Sequence, residues 1–304
     1  MLRLAFILLS VAILQSCSQK GQEKSLENPL EGEISIAADE SFQPIVDAQI
    51  MAYNAHYPKA KLNIKYMPEQ KAVRLMMQDS VDVCIVGRAL DSTEIKYYKN
   101  KGISYLPARM ALEGVALITS VDSPLSTISL DDLKAIFDSN SDKKLVFDNS
   151  NSSNLRYMID KLGIKNLNQA NIFAADGNKD VIEQVKTNPN AIGVIGASWI
   201  SDGDDLKARA IKKSVKVLSV SQKEGGRGYL PIYSDLKARQ YPLERKAYLH
   251  TKKHYGLPKG FIRFCCAQIG QLVVEKMGLL PYYVIPKEMV VEKTTITEMQ
   301  KDKK

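Results

Sequence analysis

The sequence predicts an α/β protein of two lobes, each a mainly parallel sheet flanked by helices, with two crossovers of the chain forming a hinge. Short apolar runs alternate with amphipathic segments from Glu33 onward, which is the pattern of βαβ units. This alternation starts a second time after residue 121. The length of 304 residues is enough for two lobes, at about 100 to 200 residues per domain.

The first series of elements lies before residue 121. The run Val81–Val86 is typical of a buried strand because it is short, apolar and rich in β-branched residues. Helices are expected where apolar residues recur every three or four positions. We expect strands over 33–38, 61–67 and 81–87, helices over 42–55, 69–78 and 91–100, and two strand segments within 103–121.

The second series starts with a helix over 129–137, because Ser129 is a good cap and Asp131 and Asp132 suit the first turn. The glycines of the apolar run 191–196 indicate a buried strand with close backbone approach. The glycine-rich stretch 225–228 is interpreted as the return crossover. The remaining expected elements are strands over 144–147, 215–220 and 245–251, helices over 153–162 and 180–187, and one long helix over 259–277.

The N-terminus predicts export from the cytoplasm of a bacterium. Arg3 precedes an apolar run that is too short for a bilayer span, and Ser16 precedes Cys17, as in a lipoprotein signal. Gln15 stands where a small residue is usual, so an ordinary cleaved signal remains an alternative. We expect a protein of the periplasm that a lipid on Cys17 anchors to a membrane.

The predicted division of the chain follows from these segments. It comprises a signal peptide over 1–16, a flexible tether over 17–32, lobe I over 33–120 and 225–291, lobe II over 121–224, and a charged tail over 292–304.

Composition narrows the classes of partner. The formal net charge is +8, but no Lys/Arg run exceeds two residues and no nucleic-acid-binding motif accompanies them, so nucleic acid is not an expected partner. A positive field favours a small anion instead. Cys84 lies in an apolar strand, Cys265 and Cys266 are adjacent, and His250 and His254 are interpreted as solvated. We therefore expect no disulfide framework, metal or cofactor, and no Ser/His/Asp catalytic constellation is recognisable.

Two helix starts carry the pattern of an anion site. After the first strand, Ser41 is expected to cap a helix that has Pro44 in its first turn. After the strand over 144–147, a polar loop over 148–154 leads into another helix. Backbone N–H groups at helix starts bind anions, and they lie here at the carboxyl ends of strands. An ordinary capped helix would explain either feature alone, but one in each lobe indicates a ligand cleft.

The order of these motifs resembles the PstS-like phosphate-binding proteins of ABC importers. The resemblance covers about Glu33 to Ile285 and depends on the segments 34–44, 81–90, 115–118, 129–137 and 190–196. It implies the type II fold of periplasmic binding proteins, in which two lobes close on phosphate and the protein delivers it to a membrane permease.

The resemblance also implies site residues. The family's first loop matches Ser41 and Phe42, and its Ser-Gly-Thr loop falls on Ser152, Ser153 and Asn154, where the hydroxyls are kept but the glycine and threonine are not.

Other family positions differ in charge. The family arginine before that loop falls near Asp148, so Arg156 is a candidate for the positive charge. Arg88 stands near the place of the family aspartate that accepts the proton of hydrogen phosphate, which puts phosphate selectivity in question. Glu40 and Glu69 are candidate acceptors instead. The alternative for Arg88 is a salt bridge to Asp91 or Glu94.

These observations predict a monomeric solute-binding lipoprotein that captures phosphate, or a similar oxyanion, for an ABC permease. The alternatives are a binding protein for another oxyanion or a small organic acid, and an exported sensor or enzyme with the same fold.

Overall fold

The structure is a computed structural model that describes residues 28–138, 141–165 and 169–284. The predicted signal peptide, Cys17, most of the tether and the charged tail lie outside these residues. The strands are β1 Gly32–Asp39, β2 Ala60–Met67, β3 Val83–Val86, β4 Ala108–Thr119, β5 Thr127–Ser129, β6 Lys144–Phe147, β7 Ile172–Ala174, β8 Ala191–Gly196, β9 Lys216–Val217, β10 Ser219–Ser221, β11 Glu244–Thr251 and β12 Leu280–Pro281.

Helices cover this sheet and two of them begin at the candidate site. They are α1 Gln43–His56, α2 Glu69–Met77, α3 Ser92–Asn100, α4 Leu130–Asp138, α5 Ser153–Leu162, α6 Asn178–Thr187, α7 Ser198–Ser201, α8 Leu206–Ser214, α9 Tyr233–Lys237, α10 Gly256–Cys266 and α11 Gln268–Lys276. Short 3-10 turns occupy Glu40–Phe42 and Gln169–Asn171.

The predicted fold class is confirmed. The main sheet has the order β2-β1-β3-β11-β4-β8-β6-β7, with β9 and β12 also paired to β4. The strands β2, β1 and β3 run parallel at one end, and β8, β6 and β7 run parallel at the other. β11 is antiparallel to both of its neighbours, because the chain returns through it between the two parallel groups.

Strand β4 joins the two halves of the sheet. Its first part pairs with β11 up to Gly114, and its second part pairs with β8 from Val115 onward. The sequence predicts two strand segments here, whereas the structure has one strand of 12 residues. One continuous strand therefore places the centre of β4 at the junction between the halves.

The C-terminal helical region differs from the expectation of one long helix. Ala267 is extended, with φ −90° and ψ 177°, and separates α10 from α11. Gly270 lies so close to the end of α10 that a Cβ there would clash with the carbonyl oxygen of Phe264. This contact requires the second helix to fold back against the first.

The apolar core lies on both faces of the sheet. All residues of β3 and β8 are buried, as expected for parallel strands that helices cover on both sides. Among the described residues, no helix combines the length and the apolar character needed to cross a bilayer.

Candidate functional site

The first predicted helix start lies at the carboxyl end of β1. Asp39, not Ser41, is its cap: the carboxylate accepts a hydrogen bond from the backbone N–H of Ser41 at 2.9 Å and another from the Ser41 hydroxyl. A 3-10 turn then leads into α1. Asp39, Ser41 and Phe42 are all fully buried, so the short polar segment is enclosed by the protein.

The second predicted helix start follows β6. Ser152 caps α5 and accepts hydrogen bonds from the backbone N–H groups of Asn154 at 3.1 Å and Leu155 at 3.3 Å. Its hydroxyl donates to Asp148. Ser152, Ser153 and Asn154 are buried like the first helix start.

The structure brings these two helix starts together. The hydroxyl oxygens of Ser41 and Ser153 lie 3.4 Å apart, although the residues are 112 positions apart in the chain. The predicted residues Ser41, Phe42, Ser152, Ser153 and Asn154 therefore form one cluster where the two halves of the sheet meet.

Arg245 connects the helix starts and was not identified from the sequence. Its guanidinium donates to the Ser41 hydroxyl at 3.0 Å and to Asn154 Oδ1 at 2.7 Å, with a longer contact of 3.4 Å to the Ser153 hydroxyl. The central carbon of the guanidinium, Cζ, lies 4.2 Å from the ring centroid of Phe42. Arg245 is only 4% exposed, so this cation is inside the protein.

A signal for Arg245 was present in its own strand. Residues at alternate positions of a strand share a face, and Ala247 and Leu249 on the face of Arg245 are fully buried. A charged residue in register with buried apolar ones indicates an enclosed, partnered cation. That partner is Glu113, which lies directly opposite Arg245 in the register of β4 and β11.

Asp39 is a carboxylate of the cluster that has a free oxygen. Its Oδ1 accepts from Ser41, while Oδ2 is buried without a hydrogen-bond partner among the described residues. The pKa of Asp39 is raised to about 7, first by burial and then by the negative charges of Asp148 and Glu69, against the opposing effect of Arg245. A buried acceptor without a donor is suited to a ligand that brings one.

Asp148 is the corresponding acid in the other half. It is 1% exposed and accepts from the Ser152 hydroxyl and from Asn149 Nδ2, the latter at 2.6 Å. Burial raises the pKa of Asp148 above its usual value, although the hydrogen bond from Ser152 and the charge of Arg245 oppose this.

The two predicted arginines, Arg88 and Arg156, meet at Glu69. This carboxylate is buried and its Oε1 accepts from Arg156 Nε at 2.8 Å and from Arg88 Nε at 3.2 Å. Arg88 also makes two bonds to Glu94, of 2.6 and 2.7 Å. Arg88 is thus bound by carboxylates of α2 and α3, and Glu94 is one of the two partners expected for a salt bridge. Arg156 links α5 to α2.

Glu40 lies at a different helix start. Its carboxylate accepts from the backbone N–H of Asn178 at 3.1 and 3.2 Å, and from the side-chain amide of the same residue. Burial raises the pKa of Glu40. The structure therefore places Glu40 at the N-terminus of α6, beside the serine cluster rather than within its hydrogen bonds.

This arrangement suits the recognition of a small tetrahedral oxyanion with at least one proton. Hydroxyls, an amide and a guanidinium are donors for anionic oxygens, and a carboxylate accepts a hydrogen bond from a protonated oxygen. No group of three or more His, Cys, Asp and Glu side chains in the described ranges is arranged to hold a metal ion.

Comparisons with known proteins identify relatives of this chain. The chain is 22% identical over 281 residues to the phosphate-binding protein PstS of Bacillus subtilis, with 88% of this chain and 84% of the relative covered. It is 19% identical over 300 residues to protein SphX of Synechococcus elongatus, with 92% and 86% covered. A solved structure from Clostridium perfringens, described as a phosphate ABC transporter substrate-binding protein with bound phosphate, has a TM-score of 0.69 at 20% identity and covers 83% of this chain and 100% of that one.

The family follows from a broader match. The resemblance to PstS-like proteins that the sequence indicates is confirmed by these relatives, and the solved structure shows the same fold. A model of the PBP superfamily domain matches residues 23–268, which is most of the chain. This protein therefore belongs to the PBP superfamily.

Proposed function

We propose that this protein captures inorganic phosphate between its two lobes and delivers it to an ABC importer. The observation that carries the proposal is the buried guanidinium of Arg245, hydrogen-bonded to the Ser41 hydroxyl on one side and to Asn154 and Ser153 on the other. A phosphate placed between the helix starts would take over these hydrogen bonds. The relatives named for phosphate binding support this choice of ligand.

Asp39 supplies selectivity in this proposal. Its unpartnered Oδ2 accepts a hydrogen bond from a P–OH group, whereas sulfate at neutral pH carries no proton to donate. At a pH well above the pKa of Asp39, sulfate would leave a buried carboxylate facing an anionic oxygen, which costs several kcal/mol at about 4 Å in a partly desolvated site. In this proposal Asp39, rather than Glu40 or Glu69, accepts the hydrogen bond from the protonated phosphate oxygen.

Binding and closure are coupled in this mechanism. With lobe I over 33–120 and 225–291 and lobe II over 121–224, Ser41 and Arg245 come from lobe I and residues 152–154 from lobe II. A ligand that contacts both lobes binds the closed form more tightly, and so it shifts the population toward that form. The closed form is the one that docks on the permease, and the protein binds without catalysing a reaction.

The proposal includes a location. A lipid on Cys17, followed by the tether over 17–32, holds the monomeric binding protein in the periplasm close to its importer. Cys17→Ala should move the protein from the membrane fraction to the soluble fraction of the cell envelope, whereas Cys84→Ala should leave it in the membrane fraction.

Thermal unfolding with added anions tests the ligand. Inorganic phosphate at about 100 times its Kd should stabilise the folded protein by about 2.7 kcal/mol, and sulfate should do so far less. Arg245→Gln should lose the phosphate response, and Arg263→Gln, at an exposed arginine of α10, should keep it. The absence of a response to millimolar phosphate would contradict the proposal.

Two other outcomes would favour the alternatives. A stronger response to an organic acid would favour another solute, and turnover of a phosphate ester would favour an enzyme.

A further inference from the structure

Two buried carboxylates occupy equivalent places in the two halves of this protein. Asp39 is the last residue of β1 and Asp148 directly follows β6. Each accepts a hydrogen bond from the hydroxyl of a serine in the adjoining helix start, Ser41 for Asp39 and Ser152 for Asp148. Both are 1% exposed, and the negative charge of Asp148 raises the pKa of Asp39. The cluster therefore has one acceptor on each side.

The fixed charges around the cluster leave these two acids uncompensated. Arg245 is paired with Glu113 through Nε at 2.9 Å and Nη2 at 2.5 Å, so their charges cancel. Arg88 and Arg156 are engaged by Glu69, and Arg88 is engaged by Glu94 as well, so this group is also balanced. With both Asp39 and Asp148 ionised, the site is negative before any anion enters.

The remaining charged groups nearby are Glu40 and the exposed Lys179, which acts on Glu40. Glu40 interacts unfavourably with Asp148 and is held by the N-terminus of α6. The groups that act on Asp39 and Asp148 are therefore Arg245, Glu69 and Glu40, in addition to the two acids themselves. A dianionic ligand would face the two acids, and Arg245, the cation that acts on both of them, already has a carboxylate partner.

We infer that the site binds the dihydrogen phosphate monoanion, which donates one P–OH hydrogen bond to Asp39 and the other to Asp148. This inference rests on the proposed function and deepens it, because it names the protonation state of the ligand. A carboxylate oxygen has two lone pairs, so Asp148 can accept a further hydrogen bond beside those from Ser152 and Asn149. Burial, which raises the pKa of both acids, favours a complex in which each acid shares a proton.

The decisive measurement is proton uptake when inorganic phosphate binds. Isothermal titration calorimetry of the purified protein at about pH 8.5, in two buffers with different ionisation enthalpies, gives the number of protons taken up. Free phosphate is then the hydrogen dianion, so formation of the dihydrogen complex takes up about one proton per phosphate, and the Kd rises about tenfold per pH unit. Phosphate binding without proton uptake, with a Kd independent of pH above neutrality, overturns the inference but not the proposed function. Failure to bind phosphate at any pH overturns both.

An anion series at about pH 6 gives a second readout, because the anions differ in the number of hydroxyl groups. Phosphate has two P–OH groups, phosphite has one and sulfate has none. Each lost hydrogen bond to a buried carboxylate should weaken binding by about tenfold or more. Equal Kd values for phosphate and phosphite contradict a second acceptor.

Variants assign the second acceptor to Asp148. Asp148→Asn should abolish proton uptake at about pH 8.5 and bind phosphate more tightly than the wild type there, because the dianion no longer meets a second negative charge. Asp131→Asn, at an exposed acid of α4, should keep wild-type uptake. Full uptake in folded Asp148→Asn would show that another group accepts the proton. The wild-type measurement gives the number of protons in the complex, and the anion series tests the second acceptor, even if this variant does not fold.

Discussion

Glu113 and Arg245 form a buried ion pair directly across β4 and β11, with Nη2 of the arginine 2.5 Å from Oε1 of the glutamate. Both side chains are at most 2% exposed. Burial raises the pKa of Glu113, and the charge and hydrogen bonds of Arg245 oppose this. The pair fixes the direction of the guanidinium, so that its outer N–H groups reach the helix starts of both halves.

Removing one member of this pair should destabilise the protein strongly. Glu113→Gln removes the carboxylate that is directly bonded to the buried Arg245 guanidinium, and we expect a loss of about 3 to 5 kcal/mol in the free energy of unfolding by urea. Glu183→Gln, which breaks an exposed pair with Lys186, should cost less than about 1 kcal/mol. The double variant Glu113→Leu with Arg245→Met should recover much of the stability but lose the phosphate response. Equal losses for Glu113→Gln and Glu183→Gln would show that the buried Glu113–Arg245 pair contributes no more to stability than an exposed pair.

Asp39 should make the stability of the ligand-free protein fall between about pH 4 and pH 7. Its pKa is about 7 when folded, against the ordinary value of 3.8, so the folded protein holds a proton that the unfolded chain releases. The free energy of unfolding therefore decreases as the pH rises through this range, and the decrease is complete above the folded pKa. Asp39→Asn should remove this contribution, so its stability relative to the wild type should grow by a few kcal/mol from about pH 4.5 to about pH 7.5.

Urea unfolding in phosphate-free buffers measures this difference. Because other groups also titrate, the quantity to compare is the free energy of unfolding of Asp39→Asn minus that of the wild type at each pH. Asp131→Asn should show no such trend because its side chain is exposed. A constant difference for Asp39→Asn across the range would contradict a raised pKa.

The helix starts could be predicted from sequence because their signals are local. Capping serines, a proline in the first turn and a polar loop after an apolar strand stand next to one another in the chain, and they led to Ser41 and to residues 152–154. The partners of Arg245 are not local. Glu113 is 132 positions away, and only the register of β4 and β11 brings the two together.

Tertiary contact also explains the other differences from expectation. Periodicity alone continues through Ala267, so it predicted one helix where the contact of Gly270 with the end of α10 gives two. Arg88 could not be assigned from sequence, because Glu69 on α2 and Glu94 on α3 reach it only in the folded protein. For the same reason, sequence alone cannot decide whether a single charged residue near a strand end contacts a ligand or another side chain.

Arg88 should support stability rather than choose the anion. The hydrogen bonds of its guanidinium within the described chain go to Glu69, Glu94 and the carbonyl oxygen of Ala89. Arg88→Gln should lower the free energy of unfolding by about 1 to 3 kcal/mol and leave the ratio of the phosphate and sulfate Kd values unchanged. Lys96→Gln, at an exposed lysine of α3, should change neither quantity. A changed Kd ratio in Arg88→Gln would show that Arg88 contributes to ligand recognition.

Gly196 should control the position of the first helix start. It ends β8, and a Cβ there would clash with the backbone oxygen of Ser41 and approach Nη2 of Arg245 to 3.1 Å. The Ser41 oxygen also accepts from Trp199 Nε1 at 3.2 Å, so this stretch of backbone is held from two sides and cannot easily move away.

Gly196→Ala should therefore weaken phosphate binding by about tenfold or more and destabilise the fold by about 1 to 3 kcal/mol, because the extra methyl group displaces Ser41 from the guanidinium. Titration calorimetry with inorganic phosphate and urea unfolding measure the two effects. Gly203→Ala is the matched control, since a Cβ at that position meets nothing within 4 Å. Wild-type affinity in Gly196→Ala would mean that phosphate does not depend on the distance between Ser41 and Arg245, and the site would then have to lie elsewhere between the lobes.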